Sequence, residues 1–94
     1  MAGYWIAHVA VSDPEVYGEY AKLATEAIAA HGGEFLARGT RTLWLEGKER
    51  ERNVIVRFAS VEDAERCYHS PTYQQALKFA KASAERDLCI IEGN

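Results

Sequence analysis

The chain of 94 residues has a length typical of one domain, and its formal net charge of −3, from 11 basic and 14 acidic side chains, argues against a nucleic-acid-binding surface, which is normally basic. Hydrophobic residues make up 48% of the chain, which excludes an intrinsically disordered protein. The N-terminal segment has no basic start and no cleavage site and is too short to span a membrane, so we expect one domain over residues 1–94, located in the cytoplasm and without membrane contact.

The first part of the chain predicts a strand followed by a helix. Aromatic and β-branched residues are typical of a strand over Tyr4–Val11. A helix is predicted over Pro14–Ala30, because Ser12 or Asp13 suits the N-cap, proline suits the first helical position and apolar residues recur at helical spacing. The pair Gly32-Gly33 then ends this helix.

Two further strands and a hairpin are predicted in the middle of the chain. The second strand is expected over Glu34–Glu46, where Gly39 indicates a bulge or a close approach of the backbone. A charged hairpin turn, Gly47–Glu51, leads to a third strand over Arg52–Ala59 with the apolar run VIVRF.

The stretch CYHSPTYQQALKF, residues 67–79, contains a thiol, two phenols, an imidazole and a hydroxyl, and raises the question of a reaction site. The backbone preferences of serine and proline explain this stretch without a reaction site. The residue before a proline is forced out of the helical region, so Ser70 ends one short helix, caps the next, and Pro71 begins it. A last strand is predicted over Leu88–Glu92.

The order β-α-β-β-α-β predicts an α+β, ferredoxin-like fold. Right-handed crossovers place strands one and three in the centre of a four-stranded antiparallel sheet, with both helical segments on one face and the second segment split at Ser70-Pro71.

Strand alternation divides the central strands into two faces. The apolar sets, such as Trp5, Ala7 and Val9, are expected to pack under the helices. The other set forms a mixed surface that we call the helix-free face: Tyr4, Ile6, His8 and Ala10 of strand one, with Asn53, Ile55, Arg57 and Ala59 of strand three. A monomer would expose this face to water, and a two-fold partner would cover it, so we expect a homodimer.

Four residues are ligand-binding candidates. His8 and Arg57 fall on neighbouring strands of the helix-free face, where the arginine suits a carboxylate or phosphate and the histidine suits proton transfer near neutral pH. Arg38, inside the second strand, would lie at the rim of this site. Tyr73 belongs to a set of tyrosines that are otherwise expected at the edge of the core. The alternative is that these polar groups are solvated or pair across the dimer.

Metal and cofactor signals are absent from the sequence. Cys67 and Cys89 form no CxxC pair and have no zinc-finger spacing, so both are expected to be reduced and buried. No nucleophile–base set or phosphate-binding glycine loop is present, so no metal, no cofactor and no catalytic residue is assigned.

Several segments together resemble the DUF1330 family, a domain of unknown function in the dimeric α/β-barrel superfamily: YWIAHVAVSDPEVYGEY, HGGEFLARG, NVIVRF followed by ASVEDAERCYHSPTYQQA, and the closing IIEG. The resemblance covers nearly the whole chain and implies a ferredoxin-like monomer and a homodimer whose sheets face each other. Relatives on this scaffold include haem-degrading and quinol-forming monooxygenases and lactone isomerases. The sequence departs from the family pattern at Thr40, where glycine is common, at Arg57, where an acid is frequent, and at Ala80, where arginine is frequent.

Three functional hypotheses follow from the sequence. The first is a small homodimer that binds a small, partly apolar or anionic molecule in a cleft or in the barrel interior. The second is a cofactor-free monooxygenase-like or isomerase-like enzyme, which rests on fold analogy alone. The third is a non-enzymatic dimeric accessory module with a filled barrel.

Overall fold

The computed structural model of the protein describes residues 1–39 and 41–94. Four strands and three helices follow one another in this part of the chain. Their bounds are β1 Gly3–Val11, α1 Pro14–Ala30, β2 Glu34–Gly39, β3 Arg52–Phe58, α2 Val61–His69, α3 Pro71–Ser83 and β4 Ala84–Glu92.

The strands form one sheet in the order β2-β3-β1-β4, with every neighbouring pair antiparallel. The predicted α+β ferredoxin-like fold is therefore confirmed, including the central position of the first and third strands. In the register, Ile6 lies opposite Ile55 on one side and Cys89 on the other, and Tyr4 lies opposite Arg57 and Ile91. These rows run across the helix-free face.

Helix α1 begins where the sequence predicts. The side chain of Asp13 accepts a hydrogen bond from the backbone N–H of Val16 at 3.3 Å and so satisfies one of the free donors of the first turn. Pro14 occupies the first helical position, and Gly32 follows the helix with a φ of 75°, which favours glycine.

The break between α2 and α3 is made by one serine. Ser70 has extended backbone angles, its Oγ accepts from the N–H of Tyr73 at 3.3 Å, and it donates to the carbonyl of Cys67 at 2.7 Å. One hydroxyl thus serves the end of α2 and the start of α3. The dense stretch CYHSPTYQQALKF is a helix junction.

Two strand predictions were wrong in extent. Strand β2 ends at Gly39, whereas a strand over Glu34–Glu46 was expected. Its bulge lies between Phe35 and Ala37, whereas Gly39 was expected to mark a bulge or a close approach of the backbone. Residues 41–51 contain no strand in the part of the chain that is described, and the proposed hairpin turn is part of this longer loop. Strand β4 begins at Ala84, four residues before the predicted start.

Side-chain contacts explain why the loop 41–51 leaves the sheet edge. The ring of Trp44 packs against that of His8, with centroids 5.3 Å apart. Arg50 forms an ion pair with Asp87 at 2.6 Å, and Glu51 accepts a hydrogen bond from the backbone N–H of Val11. The loop therefore lies over one end of β1 and β4 instead of extending β2.

The core lies between the helices and the sheet, as strand alternation predicts. Trp5 is almost fully buried and contacts Phe58 and Tyr73, whose ring centroids lie 5.8 and 5.1 Å from its own. Cys67 is buried, but Cys89 is exposed, which corrects the expectation of two buried thiols. Among the described residues, no helix has both the length and the apolar character needed to cross a membrane.

Candidate functional site

A cleft opens between α1 and the helix-facing side of the sheet. Helix α1 packs chiefly along α3, so part of its inner surface stands away from the strands. The cleft has a volume of about 350 Å³, which falls within the usual range of small-molecule sites. We call it the α1 cleft.

The floor and the wall of the α1 cleft are largely apolar. The floor is formed by Trp5, Ala7 and Val9 of β1 together with Val54 of β3. The wall is the inner face of α1, where the rings of Tyr17 and Tyr20 pack against each other with centroids 4.8 Å apart and planes tilted by 35°. Such a lining favours a planar or apolar molecular surface.

Arg86 of β4 lies at the inner end of the cleft and binds two phenols. Its Nη2 donates to the hydroxyl oxygens of Tyr20 at 2.8 Å and Tyr73 at 2.9 Å. The two hydroxyls are 2.7 Å apart, so one donates to the other. The guanidinium also lies over the Tyr20 ring, 4.5 Å from its centroid. We call these three residues the arginine network.

Burial sets the protonation of the arginine network. Burial raises the pKa of Tyr20 well above the ordinary range of a phenol, and it also raises the pKa of Tyr73. Burial alone would lower the pKa of Arg86, but contacts with the oxygens of the two phenols more than offset it, so the pKa is raised. At neutral pH the network is therefore one cation held by two neutral hydroxyls.

Hydrogen-bond counting leaves donors without acceptors in the network. The Nε–H of Arg86 is buried and makes no hydrogen bond within residues 1–39 and 41–94. Of the two phenolic protons, only one is used between Tyr20 and Tyr73, and both phenols already accept from Arg86. A half-buried cation with a buried spare donor in an apolar cleft is suited to bind an anion.

The mouth of the cleft contains two more arginines and one glutamate. Arg38 lies over the Phe35 ring at 4.0 Å, and Arg52 lies over the Tyr17 ring at 5.2 Å. Glu51 also lines the mouth, where its carboxylate accepts from the N–H of Val11. The charge at the mouth is therefore net positive.

The four sequence-predicted candidates fall into two places. Arg38 lines the α1 cleft, and Tyr73 belongs to the arginine network behind it. His8 and Arg57 lie on the helix-free face, but four residue positions separate their rows, which is roughly 13 Å along β1. The structure therefore does not bring His8 and Arg57 together in one site.

The helix-free face gives His8 a structural contact. Its Nδ1 lies 2.6 Å from Oδ1 of Asn53, and the Asn53 amide donates to the carbonyl of Arg50 at 3.0 Å. The amide orientation fixed by that carbonyl makes His8 Nδ1 the donor. His8 thus helps to anchor the loop 41–51.

Sequence reasoning missed Arg86, Tyr20 and Arg52 as site residues. A usable signal was present for Arg86, since alternation extended backwards from Ile90 and Leu88 places it on the helix-facing side of β4. Because the last strand was predicted to begin at Leu88, Arg86 was not assigned to a strand and its facing was not examined. An arginine among helix-facing apolar residues needs a partner, and this requirement alone would have made it a candidate.

The positions that depart from the family pattern are differently placed. Ala80 is buried in the core on the inner side of α3, where a long charged side chain would not fit without rearrangement. Arg57 is exposed on the helix-free face, and Thr40 lies outside the described residues.

Within the described ranges, no three His, Cys, Asp or Glu side chains come together in a group that could hold a metal ion.

Comparison with family models gives one match, to DUF1330, a domain of unknown function, over residues 2–94. The protein belongs to this family. No curated protein matches the chain in sequence. The resemblance inferred from the sequence segments is thus confirmed over nearly the whole chain.

Solved structures share the fold of this DUF1330 protein at low sequence identity. A protein of unknown function from Rhodopseudomonas palustris is 18% identical with a TM-score of 0.83, covering 99% of this chain and 82% of its own. A dimeric ferredoxin-like protein of unknown function from Jannaschia sp. is 14% identical with a TM-score of 0.79, covering 99% and 100%. SnoaB, a cofactor-independent oxygenase from Streptomyces nogalater, is 12% identical with a TM-score of 0.70, covering 99% and 93%. Identities this low establish the shared fold only.

Proposed function

We propose that this protein binds a small, partly apolar anion in the α1 cleft, with Arg86 contacting the anionic group. The observation that supports this most strongly is the buried Nε–H of Arg86, which has no acceptor within the described residues. A buried donor on a cation costs free energy unless a partner satisfies it. An anionic group at the inner end of the cleft would supply that partner.

The geometry favours binding over base catalysis. A phenol acts as a general base only when ionised, and burial raises the pKa of Tyr17, Tyr20 and Tyr73. Glu51, the carboxylate that lines the cleft, accepts a hydrogen bond from the backbone N–H of Val11 and forms no ion pair with Arg86 within the described residues. The oxygenase activity of SnoaB supports only an analogy of fold. A binding function needs none of these groups to change its protonation.

Benzoate is a suitable probe because it joins one carboxylate to one flat apolar ring. Calorimetry should show that Arg86→Met weakens benzoate binding by roughly 10- to 100-fold, since a hydrogen bond to a charged group contributes about 1.5–3 kcal/mol. The methionine fills similar space without charge, so the fold should be retained. Benzamide, which is neutral, should bind the wild-type protein more weakly than benzoate.

The same substitution elsewhere is the control. Arg66 lies exposed on α2 and pairs with Asp63, so Arg66→Met should leave benzoate affinity unchanged. Equal benzoate affinity in the wild-type and Arg86→Met proteins would overturn the assignment of Arg86. Absence of saturable binding up to about 10 mM, the weakest affinity expected for a ligand of this size, would overturn the binding function.

We also propose that the protein is a homodimer joined through the helix-free face. The rows Ile55–Ile6–Cys89 and Arg57–Tyr4–Ile91 place a largely apolar surface in water in the monomer, and Ile91 is 51% exposed. The loop 41–51 adds two exposed leucines beside this face. Ferredoxin-like neighbours of low identity are described as dimeric, which supports the same arrangement here.

Native mass spectrometry tests the dimer directly. The wild-type protein should give a dimer, and Ile6→Lys should give a monomer with unchanged secondary structure, because a charge in the middle of the interface lacks a partner. Lys22→Glu, a charge change on the exposed side of α1, is the control and should remain dimeric. A wild-type monomer at micromolar concentration would contradict this proposal.

A further inference from the structure

We propose that the α1 cleft selects a dianion, a molecule with an apolar middle and one anionic group at each end. One group would bind Arg86 at the inner end and the other would bind Arg52 and Arg38 at the mouth. This inference rests on the proposed binding function and adds the charge and the shape of the ligand. A cleft with one cationic group would not favour a ligand with two anionic groups over a ligand with one.

Two adjacent phenol rings, Tyr17 and Tyr20, separate the cationic ends of the cleft. The guanidinium of Arg52 lies 5.2 Å from the ring centroid of Tyr17, the rings of Tyr17 and Tyr20 are 4.8 Å apart, and the guanidinium of Arg86 lies 4.5 Å from the Tyr20 centroid. The four side chains form a ladder along the wall with a positive charge at each end. Stacking on a ring orients each guanidinium while leaving its edge donors available to a ligand.

The charge balance of the lining matches a ligand with two negative charges. Three arginines and one glutamate line the cleft. Within residues 1–39 and 41–94, none of the three arginines forms an ion pair with a carboxylate, whereas Arg50 and Arg66 do. In a chain with a net charge of −3, this concentrates positive potential at one concave surface. One excess positive charge lies at the mouth and one at the inner end.

The middle of the cleft restricts the chemistry of the ligand. Val9 lies between the cationic ends, opposite Arg52 on β3 and Arg86 on β4, and Ala7 and Trp5 continue the apolar floor along β1. A small hydrated dianion such as phosphate is too small to contact both cationic ends. It would also lose bound water against the apolar floor without gaining hydrogen bonds in return. An aromatic or unsaturated dicarboxylate satisfies both ends and packs its flat centre against the floor and the rings of Tyr17 and Tyr20.

A matched pair of probes isolates the second charge. Terephthalate and 4-carbamoylbenzoate have nearly the same shape, but the first has two negative charges and the second has one. Calorimetry on the wild-type protein should show terephthalate binding at least about fivefold more tightly, the scale expected for a charge contact at a partly exposed mouth. The preference should fall as salt concentration rises.

The double variant Arg38→Gln/Arg52→Gln should remove this preference by weakening terephthalate binding at least about fivefold more than it weakens binding of 4-carbamoylbenzoate, while the control Arg66→Gln should keep the preference. Equal affinity of the two probes for the wild-type protein, with binding still lost in Arg86→Met, would overturn the dianion and leave the proposed function standing. A preference that persists in the double variant would also overturn the dianion. Binding of neither probe would overturn both proposals.

Discussion

The arginine network makes a strong prediction about stability. Tyr20→Phe and Tyr73→Phe together remove both hydroxyls that accept from Nη2 of Arg86, while keeping the rings that pack in the core. The guanidinium would then be left at the inner end of the cleft with no side-chain acceptor among the described residues. The cation–π contact with the ring at position 20 would remain.

The magnitude follows from the hydrogen bonds that are lost. Each hydrogen bond to a charged group contributes about 1.5–3 kcal/mol, so Tyr73→Phe alone should lower the free energy of unfolding by about that amount. The double variant should lose about 3–5 kcal/mol, because both hydrogen bonds to the half-buried guanidinium are removed. Adding Arg86→Met should restore most of the loss, since an apolar side chain needs no acceptor there.

Urea denaturation at one fixed protein concentration measures these differences, and the fixed concentration keeps any dimer contribution constant. In a domain of this size, 1 kcal/mol corresponds to about 4–8 °C in Tm, so thermal unfolding gives a second reading. The reasoning is refuted if the double Phe variant is as stable as the wild type, or if Arg86→Met destabilises it further.

Three other predictions concern backbone space, phenol ionisation and thiol burial. Gly18→Ala should stabilise the protein by about 0.8–1 kcal/mol, because the added Cβ meets nothing within 4 Å. Gly3→Ala should destabilise it by about 1–3 kcal/mol, because the added Cβ would lie 2.6 Å from the carbonyl oxygen of Ser60. Urea denaturation of both variants tests this, and equal midpoints would contradict the packing. Burial raises the pKa of three phenols, so the folded protein keeps their protons to a higher pH than the unfolded chain does. The free energy of unfolding should therefore fall as pH rises above about 10, and absorbance near 295 nm should show these phenols ionising at a higher pH in the folded protein. Burial raises the pKa of Cys67 to about 11, so in Cys89→Ser a thiol reagent at pH 8 should react only on unfolding; rapid labelling of native protein would contradict this burial.

The fold was largely predictable from local signals. Proline and serine at the helix starts, paired glycines at the end of α1 and alternation in the central strands each identify one arrangement. The extent of β2 was not predictable in this way. Residues 41–46 include threonine and tryptophan, which are enriched in strands. In the structure Trp44 packs on His8 and Arg50 pairs with Asp87, and these long-range contacts have no local signature.

The site was less predictable because it combines side chains that are distant in the chain. Tyr20, Tyr73 and Arg86 meet only after α1, α3 and β4 pack together, and their spacing fits a core stripe equally well. His8 and Arg57 were selected by face alone, and face does not specify separation along a strand. Arg38, placed inside the second strand, was expected at the rim of a site around His8 and Arg57, whereas in the structure it lines the α1 cleft.

The central claim is that Arg86 binds an anion in the α1 cleft, and the resonance of its own Nε–H is the most direct probe. This proton is buried and should give a resolved peak in a ¹H–¹⁵N spectrum, assigned by its loss in Arg86→Met. Titration with benzoate should shift this peak saturably and leave the Nε–H of Arg57, on the opposite sheet face, unmoved. A titration in which the Arg86 peak stays still while the Arg57 peak moves would place the ligand on the helix-free face and contradict the account.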